Sequence, residues 1–284
     1  SEKAKLSLYE SNEGFEVKVL NTTHFAVRRP AGDQRCGLVS VKTYNIIICG
    51  VIFALIFTAF TPTQNLQSTL NEQTGNYALG ILYTSLAISS LVSPLVVVKL
   101  GEKWAMMLGG ATYVGWVAAQ IVVVPTVLFI MSAMIGFGAS ILWVAQGTFL
   151  TKNSTKETLG RNSGIFFGFY QLNQVIGNLI AAAILSRNHS NTTNPAPLFI
   201  LFTVTSALSC LAFFLIQSAP KDQTMIEPPL YHVNILTRIT DMWRTLKDRN
   251  FLLLVLIIAY SGFSTSFFSG SFTKELGRFL LNYV

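Results

Sequence analysis

Polar and apolar positions along this 284-residue chain fall into long blocks, not short alternations. Seven stretches contain no Asp, Glu, Lys, Arg or His: Tyr44–Thr61, Tyr77–Val98, Trp104–Val124, Thr126–Leu150, Gly164–Leu185, Leu198–Ile216 and Phe251–Gly270. Each matches the roughly 20 helical residues that cross a hydrocarbon layer about 30 Å thick. Strands would show segments of about ten residues alternating in polarity, and these blocks do not alternate. Inside lipid only helices and closed barrels satisfy their backbone groups. The pattern predicts seven membrane-spanning helices in an all-α polytopic bundle. It also divides the chain into a polar tail over 1–43, expected to be disordered, a six-span bundle over 44–216, a polar segment over 217–250, and a seventh span with its sequel over 251–284.

Connections inside the bundle are short, with five residues in Lys99–Lys103 and little besides Pro125 in the next. Short connections make neighbouring helices antiparallel. The long segment is broken by Pro220, Pro228 and Pro229, then places Ile235, Ile239, Met242 and Leu246 at helical spacing. Two readings stay open for it, a helix on the membrane surface and a solvated linker helix. Pro62 is expected to kink or end the first helix.

Charge fixes the orientation this pattern implies. Of the 20 Lys and Arg residues, seventeen fall before the first span or in the second, fourth and sixth connections. By the positive-inside rule the amino terminus is cytosolic. The net charge of +7 is thus a topology signal, and its spread over four segments argues against a nucleic-acid partner. Sequons stand at Asn21, Asn153, Asn188 and Asn191, and only Asn188 and Asn191 fall outside, which makes them the candidate N-glycosylation sites. Three cysteines show neither metal nor disulfide spacing. No cofactor is implied.

Candidate chemistry is confined to neutral polar side chains. Gln171, Gln174 and Asn178 share one face of the fifth span. With Gln64 and Gln146 they are read as converging on one polar cavity, and ligand-free hydrogen bonding between helices is the alternative. Gly164 with Gly168, and Gly136 with Ser140, have the small-xxx-small spacing of close helix packing. Asn162 or Ser163 is placed to cap the fifth helix. All acids and histidines lie outside the seven spans, so no buried proton relay is visible. No nucleophile–base pair or metal cluster appears, and an enzyme is not expected.

Six spans, a long basic loop and a further span resemble the layout of the major facilitator superfamily. The loop after the second span reads Pro94-Leu-Val-Val-Val-Lys-Leu-Gly-Glu-Lys103. Gly101, Lys99 and Lys103 match the superfamily's sequence there, while Val98 replaces its Asp. Phe57-Thr-Ala-Phe60, Gln64-Asn-Leu-Gln-Ser-Thr-Leu70, Leu142-Trp-Val-Ala-Gln-Gly147 and Arg161-Asn-Ser-Gly-Ile-Phe-Phe167 resemble the uncoordinated-93 branch. That resemblance implies a major facilitator-like fold of two six-helix halves. The chain, which begins at Ser1 without Met, is then read as an amino-terminal portion or truncated form lacking about five helices. A complete seven-helix receptor would place its amino terminus outside, against the charge pattern. Members of the branch regulate a potassium channel or escort receptors, so the expected activity is regulating or escorting a partner membrane protein, a potassium channel first. A facilitative carrier of a small solute is the alternative. The expected location is integral to the plasma membrane or an endomembrane, with the lipid bilayer as surroundings.

Overall fold

The structure, a computed structural model, describes residues 35–36, 39–70, 72–122, 124–186, 195–217, 240, 244–245 and 247–267. Most of the tail over 1–43 and of the segment over 217–250 lies outside these residues, as do Asn188 and Asn191. A two-residue antiparallel ribbon, β1 (Arg35–Cys36) with β2 (Val39–Ser40), precedes the first helix and was not foreseen from the sequence. Among the described residues the helices with defined bounds are α1 (Val41–Leu70), α2 (Glu72–Ser89), α3 (Ser93–Leu100), α4 (Glu102–Ala118), α5 (Pro125–Lys152), α6 (Leu159–Ser186), α7 (Ala196–Ala212) and α8 (Arg249–Ser266). A 3₁₀ turn, Phe213–Leu215, extends α7.

Among the described residues each apolar block is mostly helical, but the spans are less uniform than expected. Among the described residues three helices are long and apolar enough to cross a membrane, α1 over Val41–Gln67, α5, and α7 with its 3₁₀ turn, or four if α2 and α3 form one broken span. α4 has only 17 residues, α6 is diluted by its amides, and the apolar part of α8 is Phe251–Ser264. The break between α2 and α3 bends the path by 68°. Pro94, near the start of α3, lacks the N–H that would continue the ladder. The bend is bridged by side chains: the Ser89 hydroxyl lies 2.9 Å from that of Ser140 on α5, and Ser93 bonds the same hydroxyl.

Local sequence sets the other ends. Gly101 takes φ +76°, a left-handed value that lets α3 turn sharply into α4. Pro125 opens α5 as its first residue. The turn before α6 is held by Thr155, whose N–H donates to the Thr158 hydroxyl at 2.8 Å, so neither Asn162 nor Ser163 is the cap. The Thr155 hydroxyl also donates to Glu157 and holds that exposed carboxyl below its usual range.

α1 is the central element, packed on α2, α4, α6 and α7, while α5 packs on α2, α3 and α4. An aromatic column fills the middle. Phe53 lies 5.5 Å from Trp143 and 5.2 Å from Phe166, Phe57 lies 5.2 Å from Tyr113 and 5.0 Å from Tyr170, and Phe60 touches Tyr113 and Trp116. Outward faces stay apolar, as in Ile130, Met134, Leu201 and Leu208, and Leu252–Phe263 of α8 is exposed throughout. Such a surface is a liability in water and ordinary against lipid tails. With α1 as hub, this is an all-α membrane helix bundle.

Small residues permit close approaches between helices. A Cβ on Gly136 would meet the Leu82 carbonyl oxygen of α2 at 2.3 Å, one on Gly109 the Gly138 carbonyl oxygen of α5 at 2.7 Å, and one on Gly177 the Thr58 carbonyl oxygen of α1 at 2.6 Å. Gly164 and Gly168 have nothing within 4 Å of the corresponding positions, so α6 meets α1 through Gly177 and not through that pair. Pro62 does not end α1, which continues to Leu70. The carbonyl it deprives of an N–H partner is that of Thr58, on which Gly177 rests.

Candidate functional site

With no charged side chain inside the spans, the interior chemistry is that of amides and hydroxyls. At one end α1 contributes Asn45, fully buried. Its amide nitrogen donates to the Asn153 side-chain oxygen at 2.9 Å and to the Gln217 carbonyl at 3.0 Å, and its amide oxygen accepts from the Gln217 N–H at 3.1 Å. Asn153, just past α5, donates to the Phe149 carbonyl, and Asn162 of α6 donates to the Asn153 carbonyl and the Ser154 hydroxyl. One amide network thus ties together the ends of α1, α5, α6 and α7. Beside it Lys103 donates to the carbonyls of Phe214 and Ile216, satisfying the end of the 3₁₀ turn. Glu102 pairs with Lys152 at 2.5 Å across α4 and α5. Alternating helix direction collects Lys42, Lys99, Lys103, Lys152, Lys156 and Arg161 at this basic end.

Beyond the aromatic column Thr61 of α1 donates to the side-chain oxygen of fully buried Asn173 on α6 at 2.9 Å. Gln64 is buried and donates to the Tyr83 hydroxyl of α2 at 2.7 Å. Gln146 of α5 is buried with its amide nitrogen unpartnered. The other three residues of the expected cavity lie elsewhere. Gln171, Gln174 and Asn178 are exposed, and Asn178 donates back to the Gln174 carbonyl of its own helix at 2.7 Å. The five do not converge within the described bundle. α6 turns Asn162, Phe166, Asn173 and Gly177 inward, and that rotation leaves Gln171, Gln174 and Asn178 on its outer side.

Sequence reasoning missed Asn45 and Asn173 as interior groups and read Asn153 only as a sequon. A signal existed for α6: steps of four, seven and four from Asn162 through Phe166 and Asn173 to Gly177 follow one helical stripe. Among the described residues no three His, Cys, Asp or Glu side chains gather as metal ligands. Cys49 is buried and unbonded to another cysteine, and Cys210 reaches only the Met107 carbonyl.

A hub helix, neutral polar ties and a lipid-compatible exterior define a polytopic membrane helix bundle. The chain belongs to the UNC-93 family: the family model described as "Ion channel regulatory protein UNC-93" matches residues 65–278. It is 33% identical over 261 residues to the UNC93-like protein MFSD11 of Xenopus laevis, covering 84% of this chain and 59% of that protein. Similarity to UNC93-like protein 3 of Arabidopsis thaliana is 33% over 248 residues, 82% of this chain and 53% of the relative. The unc-93 homolog A of Homo sapiens is 27% identical over 289 residues, 84% of this chain and 63% of the relative. The chain therefore spans between about half and two thirds of these relatives' lengths.

Proposed function

We propose that this protein, without catalysing a reaction, regulates or escorts a partner membrane protein, a potassium channel first. One observation carries the reading: the family whose model matches most of the chain is described as one of ion channel regulators. The interior supports it, because the spans carry neutral amides and aromatic packing and no ionisable group that could couple transport to an ion gradient. The basic end faces the cytosol in this proposal, and Asn188 and Asn191 carry glycans on the other side. The domain division at 43, 216 and 250 is retained as part of it.

Co-expression with a two-pore potassium channel tests the reading. Channel current or surface level should change at least twofold, and purified vesicles without a partner should show no saturable solute flux. Unchanged current and surface level across the channels of that class would reject it.

One observation favours a second reading, a facilitative carrier of a small solute. Gln171, Gln174 and Asn178 form a polar edge on the outer side of α6, and polar groups on membrane helices tend to face protein or water. On that reading saturable flux in vesicles falls when Gln171 and Gln174 are replaced by Leu, with no partner present.

A further inference from the structure

The outer seam between α4 and α7 carries a charge that the bundle does not answer. Lys103, in the first turn of α4, reaches the end of the 3₁₀ turn and donates to the carbonyls of Phe214 at 3.0 Å and Ile216 at 2.9 Å. Its neighbour Glu102 is drawn to Lys152 of α5 instead. Among the described residues Lys103 makes no ion pair. An ammonium has three N–H groups, and two of these are used on neutral acceptors. The two carbonyls hold the ammonium in place without cancelling its charge.

The ring of Phe214 places a second donor beside it. That ring lies 5.8 Å from the Lys103 ammonium and 6.0 Å from the Trp104 ring, which meets it at 86°. Trp104 is 55% exposed and Phe214 53%. Among the described residues the Trp104 indole N–H has no partner. Inward from this pair the seam is closed and apolar. Cys210 of α7 lies 3.4 Å from the Met107 carbonyl of α4, and a Cβ on Gly110 would meet the Phe213 ring at 3.2 Å. Outside the closed seam Leu108, four residues after Trp104, and Leu211, three before Phe214, stay exposed. One patch thus joins a fixed cation, an indole donor and two apolar columns, in that order from the basic end inward.

We propose that this patch seats an anionic phospholipid, with its phosphate on the Lys103 ammonium, its headgroup oxygens taking the Trp104 N–H, and its acyl chains along Leu108 and Leu211. Charge complementarity calls for an anion, and the third N–H of Lys103 calls for an acceptor. A free anion would leave the exposed leucines uncovered, whereas an amphiphile matches both parts. The ammonium is already held by two carbonyls, so little side-chain freedom is lost when the phosphate arrives. Trp104 fits the headgroup level of a bilayer, where indoles keep their apolar body in lipid and their N–H on polar groups. A zwitterionic lipid brings its own cation with its phosphate and gains less from Lys103. The seat goes beyond the regulatory reading and rests only on the bundle's place in a bilayer.

Thermal unfolding of the full chain in mixed micelles tests the seat. The probes are dioleoyl phosphatidylglycerol, dioleoyl phosphatidylcholine and inorganic phosphate. Phosphatidylglycerol should raise Tm saturably by about 2 to 4 °C, and the other two at equal concentration should not. Lys103→Met should raise the half-saturating phosphatidylglycerol concentration about fivefold or more. Trp104→Phe keeps a ring against Phe214, removes the N–H, and should raise it about threefold. Lys156→Met removes an exposed cation from the turn before α6 and should leave it within about twofold. Absence of a saturable phosphatidylglycerol effect overturns the proposal, as does an equal response to phosphatidylcholine or to phosphate alone. An unchanged response in Lys103→Met, or an equal loss in Lys156→Met, also overturns it. If Lys103→Met releases the end of α7 and does not fold, Trp104→Phe decides, and an unchanged half-saturation there sinks the seat.

Discussion

Asn45 uses both ends of its amide on partners more than a hundred residues away in the chain. Replacing it with Leu, close in volume, leaves the buried Asn153 side-chain oxygen unmatched and frees the Gln217 N–H and carbonyl at the exposed end of the network. The expected cost is about 2 to 4 kcal/mol. Thermal or denaturant unfolding in detergent reads it, and a Leu variant as stable as the parent would show that water or a neighbour replaces the lost bonds. At this scale the sequence was hard to read. The absence of charge in the spans was plain, and it limits the interior to neutral hydrogen bonding. What one amide reaches across 172 residues is set by helix packing, which no local pattern encodes. Asn153 shows the same limit. Its Asn-Ser-Thr context advertises a sugar acceptor, while its burial makes it a structural tie.

Among the helices, α6 separates what spacing predicts from what rotation decides. The Gly164–Gly168 pair has the right chemistry for close packing and the wrong face, because Phe166 and Asn173 fix which side meets α1. Gly177→Leu should therefore push α6 from Thr58 and destabilise the bundle by about 1 to 3 kcal/mol. Gly168→Ala should be neutral or slightly stabilising, since Ala is the better helix former. Parallel melting curves of the two variants check the contrast, and equal losses would mean that both glycines are packed. The bend between α2 and α3 is a second case. Ser140→Ala removes the acceptor and donor shared by Ser89 and Ser93. A loss of about 0.5 to 2 kcal/mol is expected, in the range of hydrogen bonds between membrane helices. Element positions were legible because a span needs length and low charge. Facing and bending were not, because an apolar helix can turn any side inward.

Across the whole molecule the alternation of helix direction gathers six of the described Lys and Arg residues at the end where Asn45, Asn153 and Gln217 meet. With that end cytosolic, an epitope tag before Ser1 should stain only after permeabilisation. Asn188→Gln with Asn191→Gln should abolish any glycosidase-sensitive shift in gel mobility. Surface staining of intact cells would reverse the assignment. Asn153 adds something to this picture. The machinery that attaches sugars works on the far side of the membrane from the cytosol, so in the proposed orientation Asn153 is not presented to it. A chain threaded backwards would present it, before its helices close. The bulky sugar would then hold Asn45 and Asn162 apart for good, and the residue that joins the helices of a proper molecule would brand and disable an inverted one.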